Sequence, residues 1–349
     1  MISFNASLLS RLASFMEDAR QVTIAIHTHP DGDALGSAEA LRCFLLQEYD
    51  VAVRIVSPDR CPSSLDFLYN EDSVIVACDR PDATMRWIDG SDLIFCLDIN
   101  GFGRTAQVEP YLRKAECRKV LVDHHLEPEV RDFDIVFSTT EVSSTCELLF
   151  WILLSVPGSQ DVGDWPCRST MSLMTGMTTD TNNFANSVFP STFEMASMLI
   201  GGGGVDRNYI LSKLYSEYRE NRFRAMGDFL QDKLKITDKG VAYAVFRAED
   251  WHRFGLMEGE TEGFVNIPLG IEKVKMSIFL REENGVFRVS IRSKKGWSAN
   301  LLASRYFHGG GHECASGGRL RYPEDIADRC AAEAYIEDVT ARFLQEFVS

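Results

Sequence analysis

The apolar residues of the first half fall into short β-branched runs separated by stretches of helical length. Residues 22–26 (VTIAI) have the length and composition of a buried strand. A helical pattern follows over 34–47. Further strands are predicted at 51–56, 73–77, 92–99, 118–122 and 133–137, with helical stretches at 106–115 and 144–154. Ahead of the first strand, Leu8, Leu9, Leu12, Phe15 and Met16 recur at helical spacing, interrupted by Arg11, Glu17, Asp18 and Arg20, which predicts an amphipathic helix rather than a signal peptide. This βαβ rhythm predicts an α/β fold whose N-terminal domain is a parallel sheet with helices on both faces.

The pattern changes near the glycine run 201–204. One helical stretch, about 208–234, is expected to lead into a smaller C-terminal α/β domain with a mixed sheet. Residues 241–246 read as a strand. Residues 275–281 and 286–292 flank Glu282-Glu-Asn-Gly and predict an antiparallel hairpin turning at Asn284-Gly285. Helices are expected at 299–306 and 323–347. With 349 residues, two domains are the natural division. The expected segments are 1–190, a helical linker over 191–235, and 236–349.

Composition narrows the function classes. Apolar residues make up 45% and charged residues 25%, as in a globular protein with a sizeable core. The longest apolar run, 148–154, is far too short to span a bilayer, so no membrane partner is expected and the location is expected to be cytoplasmic. Nine cysteines without a close C-x-x-C pair read as buried free thiols in a reducing compartment. The formal net charge is −15. Such a chain repels long polyanions unless it carries a local basic patch, so a small anionic substrate, or the end of one, is expected rather than long duplex nucleic acid, although acidity alone does not exclude nucleic acid. A homodimer is left open.

The polar clusters sit where strands end, which is where ligands bind in such sheets. His27-Thr-His-Pro-Asp31-Gly-Asp33 follows the first strand and combines imidazole and carboxylates, a donor set suited to divalent transition metals. Asp98 closes the strand beginning at Leu93, with Arg104 six residues on. Asp123-His124-His125 follows the strand ending at Val122. Thr178-Thr-Asp180-Thr-Asn-Asn-Phe by itself reads only as a turn. In the second half, Arg292-Ser293-Lys294 and His308-Gly-Gly-Gly-His312 combine cations with glycines, which let backbone N–H groups approach a phosphate.

The set H-x-x-x-D-x-D, a lone Asp, D-H-H and Gly-x-x-x-Asp-Thr, in that order over roughly residues 20–187, resembles the DHH phosphoesterase family. The segment around His308–His312, with Thr261-Glu-Gly-Phe-Val-Asn, is similar to the DHH-associated substrate-binding domain. The resemblance implies that 1–190 is the catalytic metal-binding domain and 236–349 binds substrate. It implies that His27, Asp31 and Asp98 hold one divalent cation and Asp33, Asp98, His124 and Asp180 a second, with Asp98 bridging. Mn2+ is the expected ion, with Mg2+ or others open. Two such ions ~3.5–4 Å apart can activate water and stabilise an in-line phosphoryl transition state. His125 is expected to face the scissile phosphate and Arg104 to neutralise a phosphate oxygen. Arg292, Ser293, Gly310, Gly311 and His312 are expected to grip the distal nucleotide, with Lys294 and Lys295 as added positive charge or solvated surface.

The chain departs from many relatives at three places. His29 stands for Asn, His308 for Gly, and Asn182-Asn183 for Gly-x. The subgroup indicated hydrolyses short oligonucleotides (nanoRNA) and removes the 3′-phosphate of 3′-phosphoadenosine 5′-phosphate. A cyclic- or linear-dinucleotide phosphodiesterase fits the same motifs. A pyrophosphatase or exopolyphosphatase, or a non-catalytic nucleotide-binding regulator, fits less of the second domain or of the intact ligand set.

Overall fold

The computed structural model describes residues 2, 4–257, 259–283 and 285–347. The chain divides into two compact units, Met1–Glu217 and Tyr218–Ser349.

In the first unit six strands form one parallel sheet. They are β1 (Gln21–Ala25), β2 (Ala52–Ser57), β3 (Val74–Val76), β4 (Leu93–Leu97), β5 (Arg118–Asp123) and β6 (Ile135–Ser138), in the order β3-β2-β1-β4-β5-β6. The order reverses between β1 and β4, and that switch point opens a crevice at the carboxyl ends of the central strands. The central strands are apolar on both sides. Leu93, Phe95 and Leu97 face one core, and Ile94 and Cys96 the other. Helices α1 (Ala6–Asp18), α2 (Gly32–Glu48), α5 (Thr145–Ser155), α6 (Cys167–Asp180), α7 (Pro190–Gly201) and α8 (Arg207–Tyr215) contribute to the first core; α3 (Pro81–Asp89) and α4 (Glu109–Lys114) contribute to the second. Each fully buried Leu, Ile or Phe contributes about 1.5–3 kcal/mol of transfer free energy, so two-sided burial fixes the sheet.

The second unit holds β7 (Lys235–Ile236), β8 (Val241–Phe246), β9 (Met276–Glu283), β10 (Val286–Ser293), β11 (Gly310–His312) and β12 (Ala315–Arg321). Their order is β11-β12-β10-β9-β8-β7. Only β8 and β9 pair in parallel, which makes the sheet mixed. One face packs on α11 (Ala299–Tyr306) and α12 (Ala332–Phe347). The other is covered over β8 and β9 by Phe229, Phe264 and Leu256, which come from a turn after α9 (Glu220–Asp228), a short 3-10 segment, and the chain after α10 (Ala248–Phe254). The β9–β10 hairpin forms with Glu283 opposite Val286; Asn284 of its expected Asn-Gly turn lies outside the described residues.

The expected linker helix over 208–234 is not continuous. It breaks after α8, resumes as α9 and ends in a single π turn, Phe229–Lys233. Nor is 191–235 a free connection. Met195, Leu199, Ile210 and Leu214 are buried in the first core, and Ala225 and Phe229 in the second unit. The C-terminal helix starts at Ala332 rather than 323, because Asp328 accepts the backbone N–H groups of Cys330 and Ala331 and so caps a separate short turn. The helix expected over 106–115 forms only over Glu109–Lys114; Ala106, whose φ is 43°, kinks the 3-10 segment Phe102–Val108 that precedes it.

Helices α2 and α6 approach closely through glycines. A Cβ at Gly36 would lie 2.6 Å from the Ser172 carbonyl, and one at Gly176 would lie 2.9 Å from the Gly32 carbonyl and 2.3 Å from Cys146 Sγ. Gly176→Ala is therefore expected to destabilise the protein by about 1–3 kcal/mol through overpacking. Gly227→Ala, in α9 with open space around the new methyl, should be neutral or stabilise by up to ~1 kcal/mol. Urea denaturation midpoints check the contrast.

Candidate metal centre

His27 lies two residues beyond β1 and is 5% exposed. Its Nδ1 is 2.8 Å from the Thr28 carbonyl. A carbonyl only accepts, so the neutral ring carries its proton on Nδ1 and offers the Nε2 lone pair inward, the arrangement typical of a metal-binding histidine. That Nε2 lies 3.2 Å from Asp98 Oδ2 and 3.7 Å from Asp31 Oδ1. Asp31 is the N-cap of α2, accepting from the N–H groups of Asp33 and Ala34. Asp33, in the first turn of α2, is 1% exposed. Its two carboxylate oxygens accept the backbone N–H groups of Thr145 (2.6 Å) and Cys146 (2.9 Å) at the start of α5. A helix N-terminus favours a carboxylate there.

Asp98 follows β4 with φ 58°, a conformation that non-glycine residues rarely adopt. Its carboxylate is shared. Oδ2 faces His27, while Oδ1 lies 3.6 Å from His124 Nε2 and accepts a hydrogen bond from the Thr145 hydroxyl at 2.9 Å. His124 Nε2 is also 3.8 Å from Asp33 Oδ2 and 3.6 Å from Asp180 Oδ2. Two donor triads result, His27–Asp31–Asp98 and Asp33–His124–Asp180, with Asp98 reaching both.

Asp123 has another position. It is fully buried, accepts the backbone N–H of His125, and lies 2.8 Å from His125 Nδ1. That contact orients the ring and raises its pKa against the effect of burial. Arg104 Nη1 lies 3.1 Å from His125 Nε2 and 3.2 Å from the Asp98 carbonyl, so Arg104, His125 and Asp98 form one corner of the site. Asp98, His124 and His125 also form a third possible donor triad.

The electrostatics ask for cations. Burial, and then the neighbouring Asp98 and Asp31 carboxylates, push Asp180 up to about 7. Burial and Asp98 push Asp33 well above the usual carboxylate range. Burial disfavours the charged form of His27, but hydrogen bonds to Asp31 and Asp98 outweigh it and raise the ring to about 10. Burial, and then the neighbouring His125, push His124 down, which favours the neutral ring that can donate a lone pair. Carboxylates crowded like this are stable only if protons or cations neutralise them. The oxygen and imidazole donors suit divalent ions.

The departures from the family pattern share one property. His29 (φ 52°), Asn182 (φ 47°), Asn183 (φ 57°) and His308 (φ 47°) all occupy the left-handed region. Asn and Gly adopt that region readily, so each of these positions has a backbone that Asn or Gly would also accept. The two histidines are held by carboxylates. The His29 N–H donates to Asp59 Oδ2, and His308 Nε2 lies 2.8 Å from Asp325 Oδ1.

In the second unit the register puts Arg292, Ala315 and His312 in one row across β10, β12 and β11. Directly opposite residues share a face, so Arg292 and His312 are brought together. Gly310 is on that face too. Ser293 and Gly311 are not; the pleat turns them to the opposite side, and the buried Ser293 Oγ has no hydrogen-bond partner. The glycine-rich segment is a strand rather than an open loop. A Cβ at Gly309 would lie 1.9 Å from the Gly317 carbonyl. Lys294 and Lys295 follow β10.

With this geometry in view, the comparisons with known proteins are specific. The N-terminal domain of the DHH family matches residues 21–201, and the DHHA1 domain matches residues 238–337. The chain belongs to the DHH family. It is a DHH phosphoesterase, with relatives across its whole length. The bifunctional oligoribonuclease and PAP phosphatase NrnA of Bacillus subtilis is 26% identical over 89% of this chain and 93% of that protein. The protein of the same name from Thermus thermophilus is 27% identical over 91% and 90%. A crystal structure of an exopolyphosphatase-related protein from Bacteroides fragilis superposes with a TM-score of 0.90 at 30% identity, covering all of both chains.

Thr145 carried no chemical signal in the sequence beyond its place at a helix start, yet it donates to Asp98 and its N–H holds Asp33. Thr145→Val is expected to weaken divalent-cation binding about 10–100-fold with the fold retained, read by Mn2+ titration calorimetry and circular dichroism. The protons give a second expectation. The native protein holds them more tightly than the unfolded chain does. The cluster's contribution to metal-free stability is therefore lost as pH rises from about 4 through about 7 for Asp180, and from about 6.5 through about 10 for His27. Cation binding must displace these protons. Mn2+ titrations in buffers of different ionisation enthalpy should show net proton release that is larger at pH 6 than at pH 8.

Proposed function

We propose that this DHH phosphoesterase hydrolyses short oligonucleotides to mononucleotides and removes the 3′-phosphate from 3′-phosphoadenosine 5′-phosphate, using two Mn2+ ions. The observation that carries the reading is the Asp98 carboxylate shared between two donor triads. His27, Asp31 and Asp98 would hold one ion, and Asp33, Asp98, His124 and Asp180 the other. When bound, the pair would supply an activated water and Lewis-acid charge at the phosphorus.

The protein's own groups have distinct tasks. Thr145 and the N-terminus of α5 hold Asp98 and Asp33 in place before any cation arrives. Asp123 fixes His125 with Nδ1 tied down and Nε2 facing Arg104. In that position His125 and Arg104 meet the scissile phosphate, stabilising its negative charge. Arg292 and His312 offer cation and hydrogen-bond donors to a second phosphate, with Gly310 leaving the backbone open beside them. The relatives named for oligoribonuclease and PAP phosphatase activity, similar over about nine-tenths of this chain, support the substrate class.

Hydrolysis of a dinucleotide, a five-mer, a 24-mer, 3′-phosphoadenosine 5′-phosphate, a cyclic dinucleotide and pyrophosphate, with Mn2+ and with chelator, tests the reading. Chelator-sensitive release of mononucleotides from the dinucleotide and five-mer is expected, with little from the 24-mer. Turnover of pyrophosphate alone would overturn it. Asp33→Ala should lower kcat by at least ~10³-fold while the circular dichroism spectrum is unchanged. Wild-type turnover in that variant would remove the two-cation assignment.

A further inference from the structure

The face of the second sheet that carries Arg292 and His312 does not end with them. The register continues in rows across β11, β12, β10 and β9. After His312–Ala315–Arg292–Ser277 comes Gly310–Gly317–Ser290–Phe279, with Phe279 buried under Phe229 and Phe264, then Arg319–Arg288–Arg281, then Arg321–Val286–Glu283. Every residue in these rows lies on one side of the sheet, because the alternating positions Phe287, Val289, Ile291 and Leu320 fill the core on the other side. Successive rows are ~6.7 Å apart, so the arginine row lies ~13 Å from Arg292.

Two features of this face are not needed by the fold. Three guanidinium groups stand directly opposite one another on adjacent strands, an arrangement that repels and destabilises a sheet. Glu283 offsets part of this, 2.9 Å from Arg281 and 3.6 Å from Arg288, and Arg281 also lies over the Trp251 ring. Arg319 and Arg321 are exposed at the edge. In a chain of net charge −15 such a concentration of cations is not background. Packing also does not demand both glycines of the intervening row. A Cβ at Gly310 would meet only Asn300 Oδ1 at 3.7 Å, and one at Gly317 only the Val289 carbonyl at 3.4 Å, both ordinary contacts. Their effect is a stretch without side chains over β11 and β12, between the two cationic rows.

We propose that this face is a track for the sugar–phosphate backbone of an oligonucleotide. The Arg292–His312 row takes one phosphate, the Gly310–Gly317–Ser290 row lets the chain pass, and Arg319, Arg321 and Arg288 take a phosphate farther along. The track deepens the oligonucleotide reading above and rests on it. A dinucleotide held at the first row brings no phosphate to Arg319 and Arg321, whereas a five-mer does, so the track makes affinity rise with length.

The test compares wild type with the double variant Arg319→Ala/Arg321→Ala, whose changed side chains are exposed and outside the core. KM is measured for a dinucleotide and a five-mer. Independently of turnover, fluorescence anisotropy in chelator follows binding of a phosphorothioate five-mer across a salt series. The double variant should raise the five-mer KM and Kd about tenfold, change the dinucleotide KM less than twofold, and lower the salt slope of five-mer binding by ~1.4, as two lost contacts to a single strand require. Arg319→Lys/Arg321→Lys should keep most of the affinity. An unchanged five-mer Kd and slope would overturn the track, as would an equal loss for dinucleotide and five-mer. If the wild type cleaves no oligonucleotide, the nuclease reading fails, while the anisotropy comparison still decides the track.

Discussion

The first unit is organised around a repulsion. Asp31, Asp33, Asp98 and Asp180 are drawn together around two histidines, three of the six groups nearly excluded from water. Such a cluster is unfavourable unless positive charge enters it, and protons supply part of that charge until a divalent ion arrives. The rest of the unit holds these groups against that repulsion. The two-sided core of the sheet fixes the strand ends, the α5 N-terminus clamps Asp33, and the Thr145 hydroxyl clamps Asp98.

Close helix packing serves the same constraint. Gly36 and Gly176 let α2 and α6 meet backbone to backbone. Asp31 and Asp33 start one helix and Asp180 ends the other, so the approach of the two axes sets the separation of the carboxylates. Glu147, buried in α5, accepts from the Ser143 N–H and from the Ser143 and Thr192 hydroxyls, which ties the loop before Thr145 to the start of α7. The site thus depends on contacts that carry no chemistry themselves.

The second unit sets Arg281, Arg288, Arg292, Arg319 and Arg321 on one face of its sheet. The pleat does the sorting, since alternate residues of β10 and β12 go either to the core or to the basic face. The glycines of the segment divide by the same logic. Gly309 and Gly311 sit where a Cβ would collide with backbone, and Gly310 sits where it would not.

The sequence by itself determined the strands of the first sheet, the positions of His27, Asp98 and Asp123-His124-His125 at their ends, and the β9–β10 hairpin. Each of these follows from local periodicity and from the rule that ligands gather beyond strand ends. Tertiary structure decided the rest. Asp180 ends a helix rather than lying in a turn, because α6 is held by its burial against α2 and α5 and carries no strong cap of its own. The linker helix broke because its two halves bury their apolar residues in different units. Ser293 parted from Arg292 because strand pairing fixes which way each pleat faces, and pairing partners such as β12 are distant in sequence. Thr145 acquired its role only when folding brought residues 33, 98 and 145 together, a coincidence of distant positions that no local pattern encodes.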